Sequence, residues 1–260
     1  MQTVAVQGIR LEYIRLAPAR LRPGGPAILM LHEGLGSVSL WRDFPQALAD
    51  ACGCDAVAYS RQGHGGSDPA TGPRTRRYLH HEAVDVLPAL IDSLELERPL
   101  LFGHSDGATI ALLCAGETST RLAGLVVAAP HVLVEDITLA GIRRTVEAWH
   151  GTDLRQRLAR HHSERNLDGV FAAWHETWLD PGFSDWNVES CLPSIHCPVL
   201  AIQGADDEYA TMSQFDRIVA QIADVEALRL PSCGHSPHRD APAAVIAATQ
   251  AFVERVLGSR

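Results

Sequence analysis

Residues 100 to 115 read Leu100-Leu101-Phe102-Gly103-His104-Ser105-Asp106-Gly107 followed by ATIALLCA, and this stretch decides the fold. An apolar strand-like run enters a Gly-x-Ser-x-Gly pattern and an apolar helix-like run leaves it. Glycines at 103 and 107 let a chain turn sharply from strand into helix around a strained central residue. Such a turn lifts the Ser105 hydroxyl above the sheet edge, at a helix N-terminus. The bare five-residue pattern is weak, but between a strand and a helix it is specific. The competing reading is a glycine-rich turn with an incidental serine.

Further short apolar runs bounded by Gly, Pro or Asp lie at residues 27 to 31 (AILML), 56 to 59 (AVAY), 124 to 129 (GLVVAA), 199 to 202 (VLAI) and 227 to 230 (ALRL). Strands buried on both faces have this composition. Helix-like stretches with apolar residues three or four apart fall at 44 to 52, 82 to 94, 107 to 115, 212 to 223 and 242 to 257. The alternation predicts an α/β fold, a mostly parallel central sheet flanked by helices. Residues 2 to 17 predict an opening hairpin that turns at Gln7-Gly8.

From residue 131 to 193 no buried strand is legible. Trp149, Phe171, Trp174, Trp178, Phe183 and Trp186 gather there, including four of the five tryptophans. The pattern predicts a core domain formed by residues 1–130 and 194–260, with a helical cap inserted at 131–193. The cap aromatics either line an apolar pocket, with Trp174 and Trp178 as candidates, or only fasten the insertion down.

The 260 residues are 46% hydrophobic and 20% charged, with a mean hydropathy of −0.01, which excludes a disordered or low-complexity chain. Lys and Arg number 22 against 31 Asp and Glu, so nucleic acid is not an expected partner. No apolar run approaches a membrane span and no signal-like N-terminus is seen, which predicts a cytoplasmic protein without a membrane partner. It is expected to act as a monomer or a homodimer on a small-molecule acyl substrate. The six cysteines form neither a disulfide framework nor paired CxxC motifs and are read as reduced, mostly buried thiols. No metal or cofactor is expected, because His80-His81 are adjacent rather than helically spaced and the glycines at 63 to 66 match no phosphate- or dinucleotide-binding pattern.

A serine nucleophile needs an adjacent base, and the base needs an acid to hold its tautomer. Asp206 and Asp207 directly follow the 199–202 strand, and His235 follows the last strand and a glycine; all belong to the same carboxyl edge as Ser105. His238 is the fallback base. The backbone N–H of Asp106, next to the nucleophile, supplies one oxyanion donor. Arg61, after the 56–59 strand, is either structural or a receptor for a substrate carboxylate, and His131, after the 124–129 strand, either lines the pocket or makes a structural hydrogen bond.

Taken together, the chain resembles the α/β-hydrolase fold family over nearly its whole length. It is similar in particular to a bacterial group of hydrolases carrying HEGLGS, YSRxGxGxS, GHSDG, APHV, QGxDDEY and CGHSPH, here beginning at His32, Tyr59, Gly103, Ala129, Gln203 and Cys233. The family's acid commonly lies three residues after a glycine, which implies Asp207 rather than Asp206. Its His-Gly-x-Gly loop aligns with His32-Glu33-Gly34-Leu35, which implies Gly34 as the second oxyanion donor and puts Glu33 where a glycine is usual. Glu33 is expected to face outward or to be salt-bridged; the sharper alternative is a supporting role or selection against anionic substrates. The resemblance implies a serine hydrolase of an ester, thioester or lactone with a small to medium, largely apolar acyl group. Carbon–carbon bond hydrolysis or acyl transfer on the same triad is the alternative, and a non-catalytic small-molecule binder is the reading from another class.

Overall fold

The computed structural model describes residues 1–258. Eight strands, β1 (Gln2–Val6), β2 (Ile9–Leu16), β3 (Ile28–Leu31), β4 (Ala56–Tyr59), β5 (Leu100–His104), β6 (Gly124–Ala128), β7 (Val199–Gly204) and β8 (Val225–Leu230), form one sheet in the order β1-β2-β4-β3-β5-β6-β7-β8. β1 and β2 are an antiparallel hairpin, and Gln7 and Gly8 take φ of 50° and 84°, the pair of positive values its tight turn demands. β2 pairs antiparallel with β4, and every pairing from β4 to β8 is parallel.

Alternation along the strands builds two cores. Ile28, Met30, Leu100 and Phe102 face α1 (Phe44–Cys52) and the C-terminal helix, whereas Leu29, Leu31 and Leu101 face the opposite layer. That layer contains α2 (Tyr78–His81), α3 (Leu87–Ser93) and α4 (Asp106–Glu117). The stretch expected to be one helix at 82–94 begins as a π-helical turn, Glu82–Val86, because Pro88 at the start of α3 has no N–H to give to the preceding turn. β8 departs from the expectation of a strand buried on both faces. It ends the sheet, leaves Ala227 and Arg229 exposed, and buries only Leu230 fully.

Between β6 and β7 come α5 (Asp136–Gly151), α6 (Leu154–Leu158), α7 (Glu164–Leu179) and two 3-10 turns, with an isolated antiparallel bridge between Leu133 and Asn187. Trp149 of α5 stacks on Phe171 of α7 with ring centres 3.9 Å apart, a contact that contributes about 1 kcal/mol beyond its buried area. After β7 follow α8 (Met212–Gln221), α9 (Pro237–Asp240) and α10 (Pro242–Gly258). No helix among the described residues is long and apolar enough to cross a membrane.

Candidate active site

Six strand ends converge on one place. Gly34 follows β3, Arg61 β4, Ser105 β5, His131 β6, Asp207 β7 and His235 β8, so the parallel register alone carries these residues to one edge of the sheet. Ser105 has φ 53° and ψ −117°, a strained conformation for a residue with a side chain. Close approach enforces it: a Cβ on Gly107 would lie 2.1 Å from the Leu31 carbonyl oxygen, and one on Gly103 would lie 2.4 Å from that of Gly107. The elbow thus presses against β3 and turns the serine side chain upward.

The Ser105 hydroxyl donates to His235 Nε2 at 2.9 Å, and His235 Nδ1–H donates to both Asp207 oxygens at 2.8 and 2.9 Å. Three further donors converge on the same carboxylate: Gln203 Nε2 at 2.7 Å, Tyr209 N–H at 2.8 Å and Ala210 N–H at 3.2 Å. Burial opposes the Asp207 charge, but the His235 hydrogen bond and charge, the Tyr209 N–H and the nearby His131 outweigh it and hold its pKa at about 2. For His235 burial favours the neutral ring, and the Asp207 hydrogen bond and charge, aided by Glu208 and Glu33, overcome it and raise the pKa above the ordinary value. This fixes the tautomer with a bare Nε2 toward Ser105, the state that can take the serine proton. Asp206 is exposed and binds Cys233 O through its backbone N–H. His238 packs against Trp41 and His104, with ring centres 4.8 and 4.7 Å away, rather than against Ser105.

Gly34 lies over the elbow: a Cβ there would sit 3.4 Å from Asp106 Oδ2. No acceptor among the described residues takes its N–H, and with the Asp106 N–H at the first turn of α4 it is able to donate to a group bound beside Ser105. Glu33 faces His104, with Oε2 3.6 Å from Nδ1. Burial works against its charge, but the His104 ring beside it, with His238 nearby, brings its pKa down to about 2. The other ring nitrogen of His104 donates to the His235 carbonyl at 2.6 Å.

A cavity of about 260 Å³ opens above Ser105, lined by Glu33, Gly34, His131, Trp174, Trp178 and Tyr209 among others. Trp174 and Trp178 therefore face the site, whereas Trp149, Phe183 and Trp186 are engaged in ring contacts within the 131–193 segment. His131 is 5.4 Å from both the His235 and Trp178 rings, and burial drives its pKa down to about 3, so it presents a neutral ring. Arg61 does not line this cavity; its side chain is 2% exposed and turned into the loop below. Gln203, His104 and Glu208, which accepts the His235 backbone N–H at 3.1 Å, were not legible as site residues. Their roles depend on which way a side chain points at a strand end, a direction that residue type does not encode. Among the described residues no group of three or more His, Cys, Asp or Glu is arranged to hold a metal ion.

A model of the alpha/beta hydrolase family matches residues 28–248. The mouse protein named serine hydrolase BPHL is 26% identical over 246 residues, which cover 90% of this chain and 80% of that protein. A Pseudomonas putida 2-hydroxy-6-oxononadienedioate/2-hydroxy-6-oxononatrienedioate hydrolase is 26% identical over 247 residues, covering 83% of each. In fold, the chain is similar to the proline iminopeptidase of Mycobacterium smegmatis, with a TM-score of 0.75 at 21% identity over 100% of this chain and 99% of the other.

Proposed function

The chain belongs to the alpha/beta hydrolase family, and from that premise we propose that it is a serine hydrolase of carboxylic esters, thioesters or lactones, with Ser105, His235 and Asp207 as its triad. The observation that carries the reading is the continuous hydrogen-bond chain from Ser105 Oγ through His235 to Asp207. Ser105 Oγ attacks the carbonyl carbon while its proton passes to His235 Nε2. The Gly34 and Asp106 N–H groups hold the resulting oxyanion. Collapse of the tetrahedral intermediate breaks the bond to the leaving alcohol or thiol, which departs with the proton from His235. Water then attacks the acyl carbonyl, its proton moves to His235, and a second collapse releases the acid and restores the Ser105 hydroxyl. Asp207 orients the ring and stabilises its imidazolium. No cofactor enters these steps.

Residues 131–193 act as a cap, and Trp174, Trp178 and Leu158 give the chamber apolar walls. A volume of about 260 Å³ lies at the small end of ligand pockets and fits a short to medium acyl group. Glu33, ionised beside the oxyanion loop, disfavours acyl groups carrying a carboxylate. A second reading, hydrolysis of a carbon–carbon bond next to a carbonyl, is favoured by the likeness to the Pseudomonas putida hydrolase. Turnover of p-nitrophenyl esters of increasing acyl length tests the first reading. Activity that peaks at short to medium chains and is lost in Ser105→Ala and His235→Ala supports it; activity that survives both substitutions overturns it.

A further inference from the structure

We infer that Arg61 is a positioning residue of the oxyanion hole: with His32 it clamps the Glu33 carbonyl and thereby aims the Gly34 N–H over Ser105. The inference rests on the serine-hydrolase reading above. The Arg61 guanidinium donates through Nη2 to Glu33 O at 2.9 Å and through Nη1 to His32 O at 2.6 Å. Its backbone N–H donates to His32 Nε2 at 3.0 Å, so the neutral His32 ring carries its proton on Nδ1, and this N–H donates to the same Glu33 O at 2.7 Å. Burial and the neighbouring Arg61 charge hold His32 neutral, well below its ordinary pKa, which keeps that tautomer in place. The Gly36 N–H donates to this oxygen as well, at 3.1 Å, so one carbonyl oxygen receives three donors, of which Arg61 brings the only full charge.

The consequence follows from peptide geometry. The peptide from Glu33 to Gly34 is trans and planar, so its N–H points opposite to its C=O. Fastening the Glu33 oxygen to Arg61 on the inner side of the loop turns the Gly34 N–H outward, toward the cavity that Gly34 and Ser105 share. The positive charge on the oxygen also polarises the peptide and strengthens its N–H as a donor. The same guanidinium reaches the residue that carries the second donor: Arg61 Nη2 lies 3.7 Å from Asp106 Oδ2, which also accepts the Tyr78 hydroxyl at 2.8 Å. Tyr78 in turn accepts from Trp178 Nε1 at 3.0 Å. The buried cation is thus balanced by Asp106 and held against both halves of the hole without touching the substrate.

The test compares wild type with Arg61→Gln and Arg61→Lys on one p-nitrophenyl ester, and adds the affinity for butylboronic acid, whose adduct on a serine places a negative oxygen in the hole. Loss of one oxyanion donor costs about 100-fold or more in kcat. The expected result for Arg61→Gln is a fall of about 100-fold in kcat with KM within about threefold, and a parallel fall in boronate affinity. Arg61→Lys, which keeps the charge but not the fork, is expected to lose about tenfold in both. Should Arg61→Gln not fold, Arg61→Lys decides the matter. A folded variant with wild-type kcat and boronate affinity overturns the inference, as does a change confined to KM and melting temperature. A wild-type protein that neither hydrolyses the ester nor binds the boronate defeats the serine-hydrolase reading itself, an outcome distinct from unaltered Arg61 variants in an active enzyme.

Discussion

Replacing Asp207 by Asn changes one atom, and the surrounding donors dictate its consequence. Oδ1 accepts the Tyr209 and Ala210 N–H groups, so the amide oxygen of an asparagine must take that place and its NH2 must take the place of Oδ2. There it faces two groups that donate, Gln203 Nε2 at 2.7 Å and His235 Nδ1 at 2.8 Å, and the one acceptor left to His235 Nδ1–H, the amide oxygen at 2.9 Å, already takes the Tyr209 and Ala210 N–H groups. His235 escapes the clash by moving its proton to Nε2, which turns a donor toward the Ser105 hydroxyl and abolishes its role as base. The wrong tautomer costs about four orders of magnitude in kcat, or about 5.5 kcal/mol of barrier at about 1.36 kcal/mol per decade. The unrelieved donor–donor contact with Gln203 costs about 1–3 kcal/mol of stability. The assay is steady-state turnover of a p-nitrophenyl ester near pH 8, with thermal unfolding in parallel. A double variant, Asp207→Asn with Gln203→Leu, should recover stability but not kcat. An Asp207→Asn protein within tenfold of wild-type kcat refutes the reasoning.

Four further outcomes follow from the same geometry. Because Asp207, Glu208 and Glu33 raise the His235 pKa against burial, kcat/KM should fall on the acid side with a midpoint above about 6.5, and Glu33→Gln should move that midpoint down; a pH–rate profile that is flat from 5 to 8 contradicts this. Glu33→Gln should also improve turnover of esters whose acyl chain ends in a carboxylate relative to neutral ones, which paired kcat/KM values would show. Asp207 and Glu33, both held at about 2, stabilise the fold above their unfolded values near pH 4, and this contribution is lost as pH falls toward 2; melting temperatures measured across that window should drop, and less so in Glu33→Gln. Gly34→Ala should push Trp174 aside, since its Cβ would fall 2.4 Å from Trp174 Cδ1, and should quench or shift tryptophan fluorescence along with a loss of activity.

Fold and site were legible to different depths. The runs at 56–59 and 44–52 were read with the boundaries of β4 and α1, because a strand buried on both faces and a helix with one apolar stripe leave little ambiguity. β8 was less legible, since position at the sheet's edge depends on strand order rather than on the strand's own residues. Ser105 announced itself through the glycines on either side, and strand-end placement pointed to His235. Spacing alone left Asp206 and Asp207 open; the Tyr209 and Ala210 N–H groups separate them by curling around the second carboxylate. Arg61 illustrates the limit. Its sequence context put an arginine at the site's edge, but whether it turned toward substrate or into the loop depended on the His32 and Glu33 carbonyls, invisible in the letters of the sequence.

The most direct test of the account is to treat the protein with a fluorophosphonate and map the adduct by mass spectrometry. Ser105 Oγ should carry a single stoichiometric label, which forms with displacement of fluoride, slows sharply in His235→Ala and is absent in Ser105→Ala. An active protein that stays unlabelled, or one labelled at another residue while Ser105→Ala retains turnover, would contradict the assignment of Ser105 as the nucleophile.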